Sequence, residues 1–541
     1  MEPSLTTFNA VLNPTAAFKD YNVADHLPNT TCWDNSWLNP KNRVDSYEAE
    51  DRGQWHLDGI DIDCTRFFIV PTFAICKPPM RIDIFLADHT DLKSLPYAFA
   101  PFSPARLSPV QINNVPVRNH ILRALNYWSA KQLEFEPDYW RMPFGSRIVI
   151  ENLCADFRSV SIQTVSDYQI EQSWFSIRAL QQKWQFAVHL WPQTINIDQL
   201  QFVHQYHECI TLVRIPSRHE HQLLVFKSLT RDIKHMYQEL MNLIGTESHP
   251  NLIGRPLYIV EKSCRFGGKR GVCGFILEYF PLGNLRAALS QNCVGGVPLT
   301  LKDQFRLARE VTAALIHVNS QPLGFYPDLK PDNIMLVHRA SEVHATLIDL
   351  EQRGGWYSWS PPEVYYLEYI EQICSSGLSD HVTERYRNLL RDLSHSRMPN
   401  GIFSRHHSSY QGYSIPWLSL PPAQRERAQV FMLGKLLWCI FERRGSINCS
   451  LGFDTFREDA GVLGFPHFQQ CPLELRDCIR ACTAGAPEWQ GRFRPLKMEG
   501  GLLVLTERNR EDQIERTDRG VILREAKRWW QKEMKDAEMV L

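Results

Sequence analysis

FYPDLKPDNIMLV (325–337) and, seven residues further on, ATLIDLEQRGG (345–355) are the stretches from which the rest of the chain can be read. NIMLV and ATLIDL are short apolar runs, rich in β-branched residues, and read as two strands on either side of a polar turn. The loop before them carries Asp328, Lys330 and Asn333 within six residues, and Asp349 ends the second run. Phosphoryl transfer from ATP needs such a set. An acid must take the proton of the acceptor hydroxyl, a cation must lie on the γ-phosphate, and two oxygen ligands must hold Mg²⁺ across the phosphates. Asp328 is the expected base, Lys330 the cation, and Asn333 and Asp349 the metal ligands.

Outward from that loop, strands come first and helices later. CITLVRI (209–215) and QLLVFKSL (222–229) read as strands, and RDIKHMYQELMNLI (231–244) as a helix. The turn GTESHPN leads to PLYIVEK and VCGFILEY, two strands whose Gly-rich connection FGGKRG reads as a hairpin turn. Lys227 ends the strand LLVFK, and Glu239 follows twelve residues later on the helix. A strand lysine held by a helix carboxylate can aim its ammonium at the α- and β-phosphates. Thr300 is placed to cap LKDQFRLAREVTAALIHV, where Leu301, Phe305, Ala308, Val311, Leu315 and Val318 recur at three- and four-residue steps. A polar, His- and Ser-rich insertion (about 374–425) precedes the apolar helix QVFMLGKLLWCIFERR. This order predicts an α+β, two-lobed unit.

With these residues in place, the region from about 200 to 500 resembles the eukaryotic protein-kinase family. DLKPDN matches the catalytic-loop pattern D-[LI]-K-P-x-N, and strand lysine, helix glutamate, HPN turn, hinge, catalytic loop and metal aspartate follow in that family's order. FILEYFPLGNL resembles the hinge, with Leu277 as gatekeeper and the stretch from Glu278 through Phe280 facing adenine. PPE (361–363) resembles the end of the activation segment, and GRFRP offers Arg492 or Arg494 to pair with Glu363. WSPPEVYY beside LIDLEQRG is also similar to kinase-like proteins of filamentous fungi. The resemblance implies a two-lobed protein-kinase-like fold (N-lobe 200–280, C-lobe 281–500), ATP and Mg²⁺ as cofactors, and transfer to serine or threonine hydroxyls of a protein.

The departures are specific. The family's H-R-D reads Tyr326-Pro327-Asp328, and D-F-G reads Asp349-Leu350-Glu351, which adds an acid beside the metal position. Glu351 reads equally as a third metal oxygen and as a turn acid. The helix position usually holding Asp is Gln429. No glycine occurs between Gly145 and Gly245, so no Gly-rich phosphate loop precedes Lys227. With Pro327 in place of the arginine, an activation-loop phosphate meets no cation from the catalytic loop, so regulation is expected to be constitutive or set by the N-terminal region. Two alternatives follow: a pseudokinase that serves as an interaction scaffold, and a small-molecule phosphotransferase similar to aminoglycoside or choline kinases.

Composition limits the remaining choices. The 541 residues are 44% hydrophobic and 22% charged, which is ordinary for a globular chain. Lys+Arg 59 against Asp+Glu 60 gives a net charge of −1, and so no overall reason to expect nucleic acid or an anionic membrane as partner. Fourteen cysteines without a C-x-x-C pair read as thiols in a reducing compartment. No secretory leader and no bilayer-length apolar run are evident, so the expectation is a soluble protein of the cytoplasm, or also of the nucleus, working on a protein substrate or partner. Residues 1–190 read as a separate α/β region of unassigned chemistry. It includes strands at 67–75, 81–87 and 146–153, a helix capped by Asn119, and one helix over 166–184 opening at Ser166 or Asp167. His204, His207, His219 and His221 lack metal-site spacing, and 501–541 reads as a helical tail in which REAKRWWQKEMK is a solvated helix.

Overall fold

A computed structural model describes residues 54–60, 66–71, 83–86, 116–152, 157–207, 209–216, 219–228, 233–265, 267–322, 324–352, 359, 364, 384–388, 417, 422–447, 467–480, 482, 496–499 and 502–505. The architecture is mixed α and β. Two compact units divide the chain: residues 13–233 with 256–279, and residues 1–12, 234–255 and 280–541. Among the described residues, no helix is long and apolar enough to cross a membrane.

The first unit holds two sheets. One runs β1 (Trp55–Ile60), β2 (Arg66–Pro71), β3 (Asp83–Leu86), β4 (Arg147–Asn152) and β5 (Ser161–Val165) in sequence order. Only the β3–β4 pairing in it is parallel, and a parallel pairing needs a crossover. That crossover carries α1 (Pro116–Ala130) and α2 (Phe135–Arg141). Ile121, Ala124 and Leu125 of α1 recur at helical spacing and pack with Trp55, Phe135, Tyr139, Ile148 and Ile150 into one core. The Trp55 indole keeps its polar edge satisfied there, donating to Ser129 Oγ at 3.1 Å. The helix is entered at Pro116, not at the expected Asn119 cap, because proline lacks the N–H that a first-turn residue cannot bond anyway.

The second sheet has the strand order β6-β10-β11-β9-β8-β7, with β6 (Gln193–Asn196), β7 (Gln201–His207), β8 (Ile210–Ile215), β9 (His219–Ser228), β10 (Tyr258–Ser263) and β11 (Arg270–Glu278). Gly267 and Gly268, at φ 71° and 64°, turn β10 into β11 as a hairpin. Gly274 lets β11 lie close on β9, since a Cβ there would come within 2.3 Å of the Lys227 carbonyl oxygen. The expected single helix over 166–184 is two, α3 (Gln169–Ser173) and α4 (Ile177–Trp184). Trp174 is fully buried and seats on Gly271, and the Phe175 carbonyl accepts from Val272 N at 2.9 Å, which draws the chain out of helix until Ser176 caps α4. Glu171, fully buried, is compensated by Lys262 Nζ at 2.5 Å and by the backbone N–H groups of Phe144 and Arg265 at 3.0 and 2.6 Å.

The second unit contains α5 (Ile233–Gly245), α6 (Leu285–Gln291), the small hairpin β12 (Cys293–Val294) and β13 (Val297–Pro298), α7 (Leu301–Ser320), the hairpin β14 (Ile334–Arg339) and β15 (Glu342–Leu347), α8 (Pro422–Glu442) and α9 (Leu473–Arg480). Thr300 caps α7 as the sequence predicts, in a reciprocal box with Asp303. From Ala428 to Phe441, α8 is buried on nearly every face, as a helix apolar all round must be. A last hairpin pairs β16 (Leu496–Glu499) with β17 (Leu502–Leu505), and β17 falls within the 501–541 tail that was expected to be helical. Pro361, Pro362, Glu363, Arg492, Arg494, most of the 374–425 insertion and REAKRWWQKEMK lie outside the described residues.

Candidate functional site

The loop between α7 and β14 is held at both ends. At its start, Tyr326 is buried; its N–H donates to Gln429 Oε1 of α8 at 2.8 Å and its hydroxyl to the Ile348 carbonyl at 2.5 Å. Gln429 spends its Nε2 on Asn319 Oδ1 of α7 at 2.9 Å and on the Arg425 carbonyl at 3.1 Å. One neutral amide thus ties the loop to two helices. At its end, Pro331 opens a 3₁₀ turn through Asn333, and the Asn333 carbonyl accepts from Ile348 N at 3.0 Å. β14 and β15 then pair from Ile334↔Leu347 to Arg339↔Glu342. Their two-residue connection, Ala340-Ser341, has both φ positive at 47° and 68°, the twist a tight hairpin prefers.

Asp328 lies inside this frame, and the structure brings it together with Lys330 and Asn333. Its Oδ2 accepts from Lys330 Nζ at 2.6 Å and from Asn333 Nδ2 at 3.0 Å, and the same amide also donates to the Asp328 carbonyl at 2.9 Å. Its Oδ1 is buried and accepts no hydrogen bond. Burial pushes the carboxyl up from the ordinary aspartate range and the charge of Asp349 adds to that, while Lys330 and the amide of Asn333 pull it back. A raised carboxylate with one oxygen anchored and one bare is a proton acceptor with its geometry already set.

Asp349 follows directly on β15 with φ 64°, a left-handed conformation that an L-residue seldom adopts. One carboxylate oxygen from each of Glu239, Asp349 and Glu351 lies within 4.8 Å of the other two. Octahedral Mg²⁺ takes hard oxygen ligands at about 2.1 Å, and three carboxylate oxygens drawn this close together are donors of that type. Asn333 turns its nitrogen to Asp328, so its carbonyl oxygen is the atom it has to offer a cation.

The other expected residues are placed as follows. Lys227 is buried on β9, opposite Ile210 of β8 and Phe275 of β11, and Glu278 ends β11 opposite Leu224; both belong to the first unit. Phe280 is buried in the second unit, its carbonyl accepting from Gly283 N at 3.1 Å in the turn before α6. Sequence reasoning missed three residues that fasten the Asp349 segment. Asn242 Nδ2 donates to the Leu350 carbonyl at 2.8 Å, Gln238 Nε2 to Asn242 Oδ1 at 3.1 Å, and Gln352 Nε2 to the Phe325 carbonyl at 3.1 Å. The sequence held one hint: Gln238 and Asn242 are polar residues within a buried stretch of α5.

Neither a scan against protein-family models nor a search of curated proteins finds a match to this chain.

Proposed function

We propose that the chain is a kinase-like phosphotransferase of two-lobed α+β fold, which takes ATP with Mg²⁺ and passes the γ-phosphoryl group to a serine or threonine hydroxyl of a protein. The observation that carries this reading is the Asp328 carboxylate, one oxygen fixed by Lys330 and Asn333 and the other buried without a hydrogen bond. In the reaction the acceptor oxygen forms the new P–O bond as the bond to the ADP oxygen breaks, and the hydroxyl proton passes to Asp328 Oδ1. Positioned base catalysis of this kind contributes roughly 10²–10⁴-fold in rate. Lys330, 2.6 Å from Asp328, would meet the γ-phosphate with its ammonium. Asp349 and the side-chain oxygen of Asn333, with Glu239 and Glu351 beside Asp349, would hold the cation, which supplies charge neutralisation across the phosphates when bound. Lys227 and the hinge residues Glu278 and Phe280 are assigned to the nucleotide by the resemblance of their order to the kinase family.

With no glycine between Gly145 and Gly245, no Gly-rich loop precedes Lys227 to cradle the phosphates, so the cation would carry more of their charge than such a loop would allow. Thermal unfolding with and without Mg-ATP tests the reading. Nucleotide at one hundred times its Kd should stabilise the chain by about 2.7 kcal/mol. Asp349→Asn should reduce that gain, and no response at millimolar Mg-ATP would remove the nucleotide from the account.

A further inference from the structure

Helix α5 meets the Asp349 segment through more than a carboxylate. Asn242 lies three residues after Glu239, on the same face of the helix, and only 7% of it is exposed. Its amide is used at both ends, the nitrogen on the Leu350 carbonyl at 2.8 Å and the oxygen on Gln238 Nε2 at 3.1 Å. A flipped amide would set its oxygen against the Leu350 oxygen and its nitrogen against the Gln238 nitrogen, so a single orientation is stable. The carbonyl it grips belongs to the residue between Asp349 and Glu351, two of the three clustered acids.

That grip answers a need of the backbone. The left-handed conformation of Asp349 is unfavourable for an L-residue and persists only where its surroundings impose it. Before Asp349, Ile348 is fixed by the Tyr326 hydroxyl on its carbonyl and by its own N–H on the Asn333 carbonyl. After Glu351, Gln352 is fixed on the Phe325 carbonyl. Asn242 acts in between, at the Leu350–Glu351 peptide, and it acts from the helix that also carries Glu239.

We infer that Asn242 is a positioning residue: its amide holds the Leu350–Glu351 peptide so that Asp349 and Glu351 turn their carboxylates toward Glu239, and it thereby sets the affinity of these three acids for a divalent cation. The inference rests on the cation-site reading given above. Its test is Mn²⁺ binding to the full chain without nucleotide, read from the electron paramagnetic resonance signal of free Mn²⁺, with melting temperature measured in parallel. Asn242→Ala is compared with Thr246→Val, which removes the buried hydroxyl that bonds the Asn242 carbonyl and so weakens the same helix while leaving the amide grip intact. Wild type should bind Mn²⁺, Asn242→Ala should bind at least tenfold more weakly, and Thr246→Val should bind like wild type despite a lowered melting temperature. Should Asn242→Ala not fold, Asn242→Ser, which leaves room for water on Leu350 and Gln238, is read against the same thresholds. A folded Asn242 variant that keeps wild-type affinity overturns the inference, and so does an equal loss in Thr246→Val, which would make the role merely structural. Wild type that binds no Mn²⁺ overturns the cation-site reading itself, a result that the variant comparison cannot imitate.

Discussion

As the proposed base, Asp328 would have to be charged in a place that disfavours charge. Burial raises its pKa, and Lys330, 2.6 Å from Oδ2, is the largest influence against that rise. Removing the cation while keeping its stem, as in Lys330→Met, should push the carboxyl higher still. A base of the proposed kind works only when deprotonated, so the proposed activity would be lost as pH falls through its pKa, and the acid limb of a kcat/KM profile should move to higher pH in the variant. An unmoved limb with a lowered plateau would mean that Lys330 acts on the substrate alone. Asp328, Lys330 and Asn333 were legible in the sequence because their chemistry is local, all within one six-residue loop. Asn242 was not, because its meaning depends on a carbonyl 108 residues away. Glu351 reads from sequence as a metal oxygen or a turn acid alike, and the structure gives it Glu239 and Asp349 as neighbours.

Elements were legible where one periodicity runs unbroken. α7 has its apolar stripe and a Thr300 cap, and α8 is apolar enough to be read as buried from composition. The 166–184 stretch misleads because its periodicity cannot register that Trp174 packs on Gly271, 97 residues later in the chain, and pulls the helix open. β6 went unread for a similar reason: four residues long, it exists through parallel pairing with β10. Between elements the most exacting joint is Gln429, where α8 meets α7 and the loop that carries Asp328. Gln429→Leu keeps the bulk but removes the hydrogen bonds that Gln429 makes with the Tyr326 N–H and Asn319 Oδ1 in a buried setting. Losing such a buried partner costs about 1–3 kcal/mol for each group. Urea unfolding should therefore show a loss of roughly 2–6 kcal/mol, and a loss under about 0.5 kcal/mol would mean that water reaches the joint.

At the scale of the whole molecule, one half-buried and one buried group drive stability in opposite directions with pH. His249 stacks on His317 with ring centroids 4.8 Å apart, and its Nδ1 accepts from Asn251 N at 3.2 Å, so protonation there breaks a hydrogen bond. Burial first, and then the charge of His317, hold its pKa below the ordinary 6.5. The unfolded chain then binds the proton more readily, and stability is lost as pH falls from 6.5 through the folded value. Asp328, raised above 3.8, has the opposite sign, favouring the fold as pH falls through its folded pKa toward 3.8. Urea midpoints should drop as pH falls below about 6.5, and His249→Asn, whose side chain can still accept from the Asn251 N–H without titrating, should flatten that drop. An identical slope in the variant would assign the drop to other groups. The account as a whole depends on phosphoryl transfer, and the most direct measurement is incorporation of label from γ-labelled ATP into a broad panel of proteins and peptides, with Mg²⁺ present. Wild type should transfer label to serine or threonine, with Asp328→Asn and Asp349→Asn slower by at least a hundredfold. Transfer that survives unchanged in both variants, or no transfer by a wild-type chain that binds Mg-ATP, would contradict it.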